Sequence, residues 1–494
     1  MTTMAAVDIG AQSGRVVVGE LDGRRLAIEE VHRFPNAPVT AAGRLQWDVL
    51  HLYEQVLDGI AAAGPVDSVG VDTWGVDFGL LDRDGSLLGN PVHHRDRRTE
   101  GVMERVFARV PARELYERTG IQLLPINTIF QLAAVAESGA RALAAADRLL
   151  LVPDLLHYWL SGVAVCERTN ASTTQCLDPR TGVWTSDLLE RLDIPAAPFR
   201  ELVEPGTVLG RLRSDVAERT GLRDTAVAVP GTHDTASAVA AVPFRDPRAA
   251  YISAGTWSLV GVELPQPLIN DDAFAANLTN EGGVGGTTRL LRNVDGLWLL
   301  HECRSAWAAE GRTYTFAELV SAAEATPELR SFIEPNDQRF LAPGDLPGRI
   351  RAFCLETGQP EPESAGEITR CILESLALKH AQTVRLLGSV TGSRPPEIHI
   401  VGGGAQNGPL CRWTAEAAGL PVLVGPVEAT AVGNLAAQAM ALGELGSLEE
   451  AREVVRASFA PGVYEPSPSS AWLEATERFE SLSEPNGQRE EVWA

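Results

Sequence analysis

Apolar residues in this chain come in short runs that stop at small or charged residues, as strands and helices alternating around buried sheets would require. The first run, AAVDI, reaches Asp8 and gives way to a loop rich in Gly and Ser, Gly10 to Arg15. A second strand comes next over Val16 to Leu21, and Asp22-Gly23 turns the chain into a third. Gln46 to Ala63 carries Leu50, Tyr53, Val56, Leu57 and Ile60 at helical spacing and predicts an amphipathic helix. Another strand, Ser68 to Val71, leads into a loop with Asp72, Thr73, Trp74, Gly75 and Asp77. Residues 98–165 read as mostly helical, whereas Thr169 to Gln175, TNASTTQ, is too rich in hydroxyls for a core helix and reads as a loop or edge strand. The strand-like run Thr225 to Val229 stops at Pro230-Gly231, and a helix of small residues begins near Thr235.

The charged, Pro-punctuated stretch PFRDPRAA marks a boundary, which divides the chain into residues 1–243, 249–450 and a tail, 451–494. The second part repeats the start of the first. AAYISAGTWSLVGVEL has the strand, small-residue loop and strand of AAVDIGAQSGRVVVGEL, so the chain holds two copies of one α/β fold. Ala365 to Leu387 predicts a long amphipathic helix through Ile368, Ile372, Leu376 and Leu378. PEIHIVGGGAQN predicts a buried strand, three glycines and a helix from about Leu410, and Leu420 to Glu428 a further strand.

A chain of 494 residues exceeds one compact core. Its net charge of −23 excludes nucleic acid and anionic membrane as partners, since both need clustered cations. The chain shows no signal peptide and no apolar run near the ~20 residues of a membrane span. The six cysteines form no metal-type spacing and are expected as reduced thiols in a cytoplasm; Cys354 and Cys371 flank a turn-rich segment that brings them within possible reach of each other. Lys379 is the sole lysine.

That single lysine decides which nucleotide chemistry the glycine turns can serve. A P-loop needs GxxxxGK[ST], and a protein kinase needs its strand lysine; Lys379 sits mid-helix, so both fail. Gly402, Gly404 and Asn407 come close to a dinucleotide fingerprint with Glu428 downstream. The third glycine is missing, however, and a dehydrogenase leaves the duplicated hairpins unexplained. Trp74 beside Gly75 suits a sugar face as well as a core position, and His93, His94, Arg95, Asp96 and Arg97 form a polar cluster. Asp234 keeps two readings, a helix cap and a general base.

The motifs VDIGAQSGR, VDTWGVDF, GIQLLPINT, TNASTTQ, HDTASAV, SAGTWSL, LTNEGG and HIVGGGAQN with GPVEAT resemble, in this order, those of the FGGY carbohydrate kinases. The resemblance runs from Val7 to about Leu445. It implies two facing RNase H-like domains of the actin/hexokinase type, a mixed sheet in each and a cleft between them. It implies transfer of the ATP γ-phosphoryl group to O1 of a ketose; the loops point to L-rhamnulose, with L-fuculose or L-xylulose as competing acceptors. By position, Asp234 matches the catalytic base, and Gly75, His233, Thr235 and Asn293 match sugar contacts, with Trp74 beside them. Ala11, Gln12, Ser13, Gly14, Arg15, Thr256 and Gly403 match ATP contacts; His301 stands where a glutamine is expected. Asp8 is the expected Mg²⁺ residue, acting through waters, and Arg15 a further neutraliser of phosphate charge. A monomer or small homo-oligomer is expected, and an actin-like or chaperone-type ATPase is the remote alternative within the superfamily.

Overall fold

The computed structural model describes residues 1–340, 342, 344–467 and 469–483; the last part of the expected tail, 484–494, lies outside the described residues. By packing, the chain forms two compact units. The first takes residues 1–243 together with 263–290 and 429–459, and the second takes 244–262, 291–428 and the described residues from 460 to 483. The units are therefore cut differently from the linear boundaries at 243 and 450.

The first unit is built on a mixed sheet of six strands: Thr2–Ile9 (β1), Ser13–Leu21 (β2), Leu26–Pro35 (β3), Ser68–Thr73 (β4), Thr207–Arg211 (β5) and Ala226–Val229 (β6). Their order is β5-β6-β4-β1-β2-β3. β1 pairs antiparallel with β2 and parallel with β4; β4 pairs parallel with β6, and β5 closes the edge antiparallel to β6. β1 is central and covered on both faces, which explains why its sequence is a continuous apolar run rather than an alternating one. β2 starts at Ser13, so Ser13 to Arg15 belong to the ladder rather than to the loop. The hairpin is tighter than the sequence predicts, because Asp8 and Arg15 pair in register.

The helix expected from Gln46 runs over Val49–Ala62, capped by Asp48. It buries Val49, Leu52, Val56, Gly59 and Ile60, while Leu50 is 58% exposed and off the core face. The run TNASTTQ corrects the loop or edge-strand expectation. Arg168–Ser172 is a short buried helix, tolerated because the hydroxyls of Thr169, Ser172 and Thr173 are satisfied by Glu167 and by backbone carbonyls. Helix Ala429–Ala441 returns to lie on β1 and β4 and against helix Asp234–Ala240. A side chain on Gly433 would overlap the Ser237 carbonyl, so glycine is what lets these two backbones touch.

In the second unit the sheet strands are Ala250–Ala254 (β7), Trp257–Leu264 (β8), Thr288–Asp295 (β9), Ile398–Val401 (β10), Val422–Val424 (β11) and Gly462–Tyr464 (β12), in the order β9-β8-β7-β10-β11-β12. β7 is antiparallel to β8 and parallel to β10, β10 is parallel to β11, and β12 is antiparallel to β11. A seventh strand, Thr279–Gly282, extends this sheet beyond β9; the other six repeat the strand order of the first sheet, as the sequence echo predicts. The antiparallel hairpins in both sheets also exclude a dehydrogenase of the doubly wound parallel type. Helix Ala365–Thr391 carries the core of this unit, with a capping box at Ser364 and Glu367 and Gly392 in the left-handed region at its end. Its apolar face packs with Trp307, Phe332, Phe340 and Phe353. All six cysteines are buried free thiols, Cys354 and Cys371 among them. No helix among the described residues is long and apolar enough to cross a membrane.

Candidate active site

Parallel pairing of β1 with β4 sets Asp8 beside Asp72, at the ends of two central strands. Arg15, across the hairpin, forks onto one oxygen of Asp8: Nε and Nη2 donate to Oδ2 at 2.9 and 2.6 Å. The tip of the hairpin is held from β3's end, where the Asn36 side chain donates to the Gly10 carbonyl (2.8 Å) and its backbone N–H to the Gln12 carbonyl (2.9 Å). Gln12 and Ser13 are exposed and Ala11 half-buried, so this loop is accessible. Asp72 is fully buried; Asn434, from the returning helix, donates to its Oδ2 at 2.5 Å, and Oδ1 has no hydrogen-bond partner among the described residues. Gln438, one turn further, ties the same helix to the Ala5 carbonyl and accepts from the Ser68 hydroxyl.

Asp234 enters the same group. The Thr73 N–H donates to the Thr232 carbonyl (2.9 Å), which fixes the loop 230–234 against the end of β4. Asp234 is the first residue of helix Asp234–Ala240, and its Oδ1 accepts from the N–H and hydroxyl of Thr235 at 2.5 and 3.1 Å. It thus has a local capping contact and still keeps 30% of its side chain exposed. Enclosure raises its carboxyl above the ordinary range; His233 opposes the shift and the charge of Asp8 adds to it. Asp72 is pushed up well above the ordinary range by burial and then by Asp8. Three carboxylates therefore repel one another at one place, the electrostatic mark of a site that receives positive charge.

The floor of the site is a polar scaffold that sequence reasoning missed. Glu167 is buried and accepts from the N–H and hydroxyl of Thr232 (2.9 and 2.8 Å), and from Thr169 and Asn170. Asn170 reaches the Thr232 carbonyl at 3.2 Å. His233 is nearly buried; its Nε2 lies 3.5 Å from Asp234 Oδ1, and its Nδ1 lies 3.1 Å from Arg289 Nη2 and 3.3 Å from Glu281 Oε2. Glu281 and Arg289 sit 3.1 Å apart on strand Thr279–Gly282 and on β9. Burial would raise the Glu281 carboxyl, but Arg289 and His233 outweigh it and hold it low. The signal for this pair was present in LTNEGG, but nothing there said that the glutamate meets an arginine eight residues on.

Trp74 is 7% exposed, packed on Trp47 at 4.1 Å, so its position is that of a core tryptophan. Both indoles donate to Asp77 Oδ2, at 2.7 Å from Trp47 and 3.0 Å from Trp74, and His94 Nδ1 is 2.8 Å from the same oxygen. Asp77, His93 and His94 have the ligand atoms for a metal, yet Asp77 Oδ2 is filled by N–H donors and Oδ1 accepts from Gln131 (3.1 Å). The His93 ring is lowered to about 3 by burial and the neighbouring His94, so it is neutral. The cluster is a rigid support for the Gly75 turn rather than a cation site. Between them Val76 lies at φ +67°, a strained conformation for a β-branched residue. Hydrogen bonds from Thr128 Oγ1 to its carbonyl (2.7 Å) and from its N–H to Thr173 Oγ1 (3.1 Å) hold it there. Gly75 is required by Thr173, whose hydroxyl would lie 2.9 Å from a Cβ.

Thr256, Asn293, His301 and Gly403 all fall in the second unit. The Thr256 carbonyl accepts from Gly296 N–H and Trp298 N–H at 3.2 and 3.1 Å. Asn293 lies on β9, and His301 on helix Trp298–Ala309 packs edge-on against Phe316 at 4.6 Å, lowered by burial and Arg304. The three glycines after β10 divide their work. Gly402 lies at φ +83° and a Cβ there would meet the Ala254 carbonyl at 3.0 Å; Gly404 likewise presses on Ala254. Gly403 alone faces open space, leaving its backbone approachable.

Residues 3–241 match the N-terminal domain of the FGGY family of carbohydrate kinases, and residues 250–442 match its C-terminal domain. The chain is 42% identical over 480 residues to a rhamnulokinase of Bacteroides thetaiotaomicron, covering 96% of this chain and 98% of that protein. It is 41% identical over 465 residues to a rhamnulokinase of Bacillus subtilis, covering 93% and 95%. Among solved structures, a ligand-bound xylulose kinase from Lactobacillus acidophilus superimposes with a TM-score of 0.81 at 17% identity, over 98% of this chain and 97% of that one. Plasmodium falciparum glycerol kinase with ADP gives 0.77 at 15% identity, over 98% of each.

Proposed function

Because the chain belongs to the FGGY family of carbohydrate kinases, we propose that it transfers the γ-phosphoryl group of ATP to the 1-hydroxyl of L-rhamnulose, in L-rhamnose breakdown. The observation that carries this reading is end-to-end identity: 42% with a named rhamnulokinase over 96% of this chain and 98% of that protein. In this reading residues 1–243 supply the sugar site, the first phosphate loop and the base, and residues 249–450 the rest of the ATP site.

Asp234 takes the proton of the sugar hydroxyl as its oxygen attacks the γ-phosphorus; the bond to the bridging oxygen breaks and ADP leaves. Support for this role is a partly exposed carboxylate that Thr235 holds from behind through one oxygen, Oδ1. Gly75, His233, Thr235 and Asn293 hold the sugar, with Trp74 as backing, and Ala11 to Arg15, Thr256, His301 and Gly403 hold ATP. The residues present fit Mg²⁺: three neighbouring carboxylates offer hard oxygen donors, and one buried oxygen of Asp72 has no hydrogen-bond partner among the described residues. Asp8 would hold the cation through waters, since Arg15 occupies its Oδ2. Bound there, Mg²⁺ supplies the neutralisation of phosphate charge that a phosphate-loop lysine supplies in other folds. Free buried thiols suit a cytoplasmic enzyme, working as a monomer or small homo-oligomer.

An ADP-release assay over L-rhamnulose, L-fuculose, L-xylulose, D-xylulose and glycerol tests the assignment. L-Rhamnulose is expected to give the highest kcat/KM. A higher value for another ketose moves the acceptor within the family, and steady ATP hydrolysis without any sugar would favour a chaperone-type ATPase instead.

A further inference from the structure

Asp234 has one neighbour whose contribution depends on where a single hydrogen sits. His233 Nε2 lies 3.5 Å from Asp234 Oδ1, a distance that helps only if Nε2 carries the hydrogen. The choice is made on the other side of the ring, where two groups make opposite demands on Nδ1. Arg289 Nη2, at 3.1 Å, can only donate; Glu281 Oε2, at 3.3 Å, can only accept while ionised. Were Glu281 to win, Nδ1 would hold the hydrogen and Nε2 would turn a lone pair on the Asp234 carboxylate. Were Arg289 to win, Nδ1 accepts and the hydrogen must sit on Nε2, aimed at Asp234.

The distances favour the arginine. Arg289 is the nearer group, it is wholly buried, and its Nε is fixed by the Gly282 carbonyl at 2.9 Å, so the fork cannot swing away. Glu281 Oε2 is in turn 3.1 Å from the same guanidinium nitrogen, which neutralises the buried cation and draws that oxygen off the ring. We propose that the Glu281–Arg289 pair sets His233 in the Nε2–H tautomer, so that the ring donates to Oδ1 of Asp234 and turns the carboxylate's other oxygen toward the acceptor hydroxyl. Glu281 and Arg289 are positioning residues, acting through His233. The inference rests on Asp234 being the base of the proposed kinase. The other charged groups around this chain of contacts are Asp8 on β1 with Arg15 on β2, Asp72 on β4, and Glu167 behind Thr232. The groups that face Nδ1 are Glu281 and Arg289, which leaves the tautomer to that pair.

The test uses the full-length chain with ¹⁵N-labelled histidine and the sugar kinase assay in parallel. The His233 ring signals are identified by their absence in His233→Gln. The wild-type ring is expected in the Nε2–H form, and Arg289→Met is expected to shift it to Nδ1–H or to the protonated ring. With that shift kcat falls by on the order of tenfold while KM for ATP stays within about twofold. Arg289→Met/Glu281→Met removes both demands on Nδ1 and recovers part of the loss; it also removes the unpaired buried charge that threatens folding of the single variant. In His233→Gln, whose amide N–H replaces Nε2–H and has no tautomer to set, adding Arg289→Met/Glu281→Met changes kcat by less than about twofold. An Nδ1–H wild-type ring overturns the proposal, as does an equal kcat loss when the pair is removed from the His233→Gln variant. If no sugar is phosphorylated at all, the kinase reading fails, and the tautomer measurement still decides the hydrogen-bond arrangement on its own.

Discussion

The hairpins β1–β2 and β7–β8 share a frame and differ in charge. In the first, the cross-strand pair one step before the loop is Asp8 and Arg15; at the corresponding step of the second it is Ser253 and Leu259. The difference extends to the parallel neighbour. Asp8 pairs with Asp72 on β4, whereas Ser253 pairs with Val401 on β10. The helix after β6 opens with Asp234; the one after β11 opens with Ala429. Duplication thus preserved the strand order and backbone loops, which any nucleotide-cradling hairpin needs, while the carboxylates collected in one copy. Backbone geometry can serve binding from both copies, but the acidic side chains Asp8, Asp72 and Asp234 are concentrated in one.

The comparison breaks first at Asp234. Asp234→Asn keeps the helix start and the Thr235 contacts but cannot take a proton, so kcat should fall at least ~10²-fold with KM for the sugar nearly unchanged. Near-normal turnover would return Asp234 to a capping role. The next effect separates the two hairpins directly. Asp8→Asn should lower kcat/KM for Mg·ATP by on the order of tenfold, partly recovered by raising free Mg²⁺, as expected for a residue acting through the metal's waters. Ser253→Ala, its counterpart, should change kcat/KM by less than about twofold. A Mg²⁺ titration in which both variants respond alike would dissolve the distinction between the copies.

The strand–loop–strand echo made the duplicated sheets legible, because a hairpin's register depends on local alternation and on a short loop, both written in consecutive residues. Asp8, Arg15 and Asp234 could be placed for the same reason, since Asp8 and Arg15 flank a hairpin loop and Asp234 opens a helix. The rest of the site was not, since its partners come from far along the chain. Asn434 reaches Asp72 across 362 positions, and Glu167 reaches Thr232 across 65. TNASTTQ misled because composition records how polar a segment is and not whether a buried glutamate waits to satisfy it. Leu50 misled because one leucine on a helix can fall just off the core face without breaking the pattern.

The helix that closes the first unit offers a structural test of the same concentration of charge. Gly433→Ala would force helix Ala429–Ala441 away from Ser237 and carry Asn434 with it. Overpacking of this kind costs about 1–3 kcal/mol, read as a lowered denaturation midpoint. Turnover should fall with it, because Asn434 donates to Asp72; unchanged stability would mean that the two helices part without strain.

The smallest effect concerns what the first unit gives up to hold its acids. In the second unit the buried carboxylates of Glu374 and Glu334 meet cations, Arg370 at 2.6 Å and Lys379 at 3.0 Å. In the first, Asp154 is met by a neutral donor, the Glu167 N–H at 3.1 Å, and its Oδ2 has no hydrogen-bond partner among the described residues. Burial, and then Glu167, push its carboxyl well above the ordinary range, so the folded chain keeps a proton that the unfolded chain releases. This group's contribution to stability is therefore fully present below the unfolded value, near pH 4, and is lost as pH rises toward the folded value. Asp154→Asn mimics the protonated acid at every pH. Its unfolding free energy should match that of the parent near pH 4 and exceed it by on the order of 1 kcal/mol near neutrality, with kcat unchanged. Urea titrations at three pH values read the difference, and parallel curves would show that Asp154 is already ionised in the folded chain and that the first unit tolerates its unpaired acids without cost.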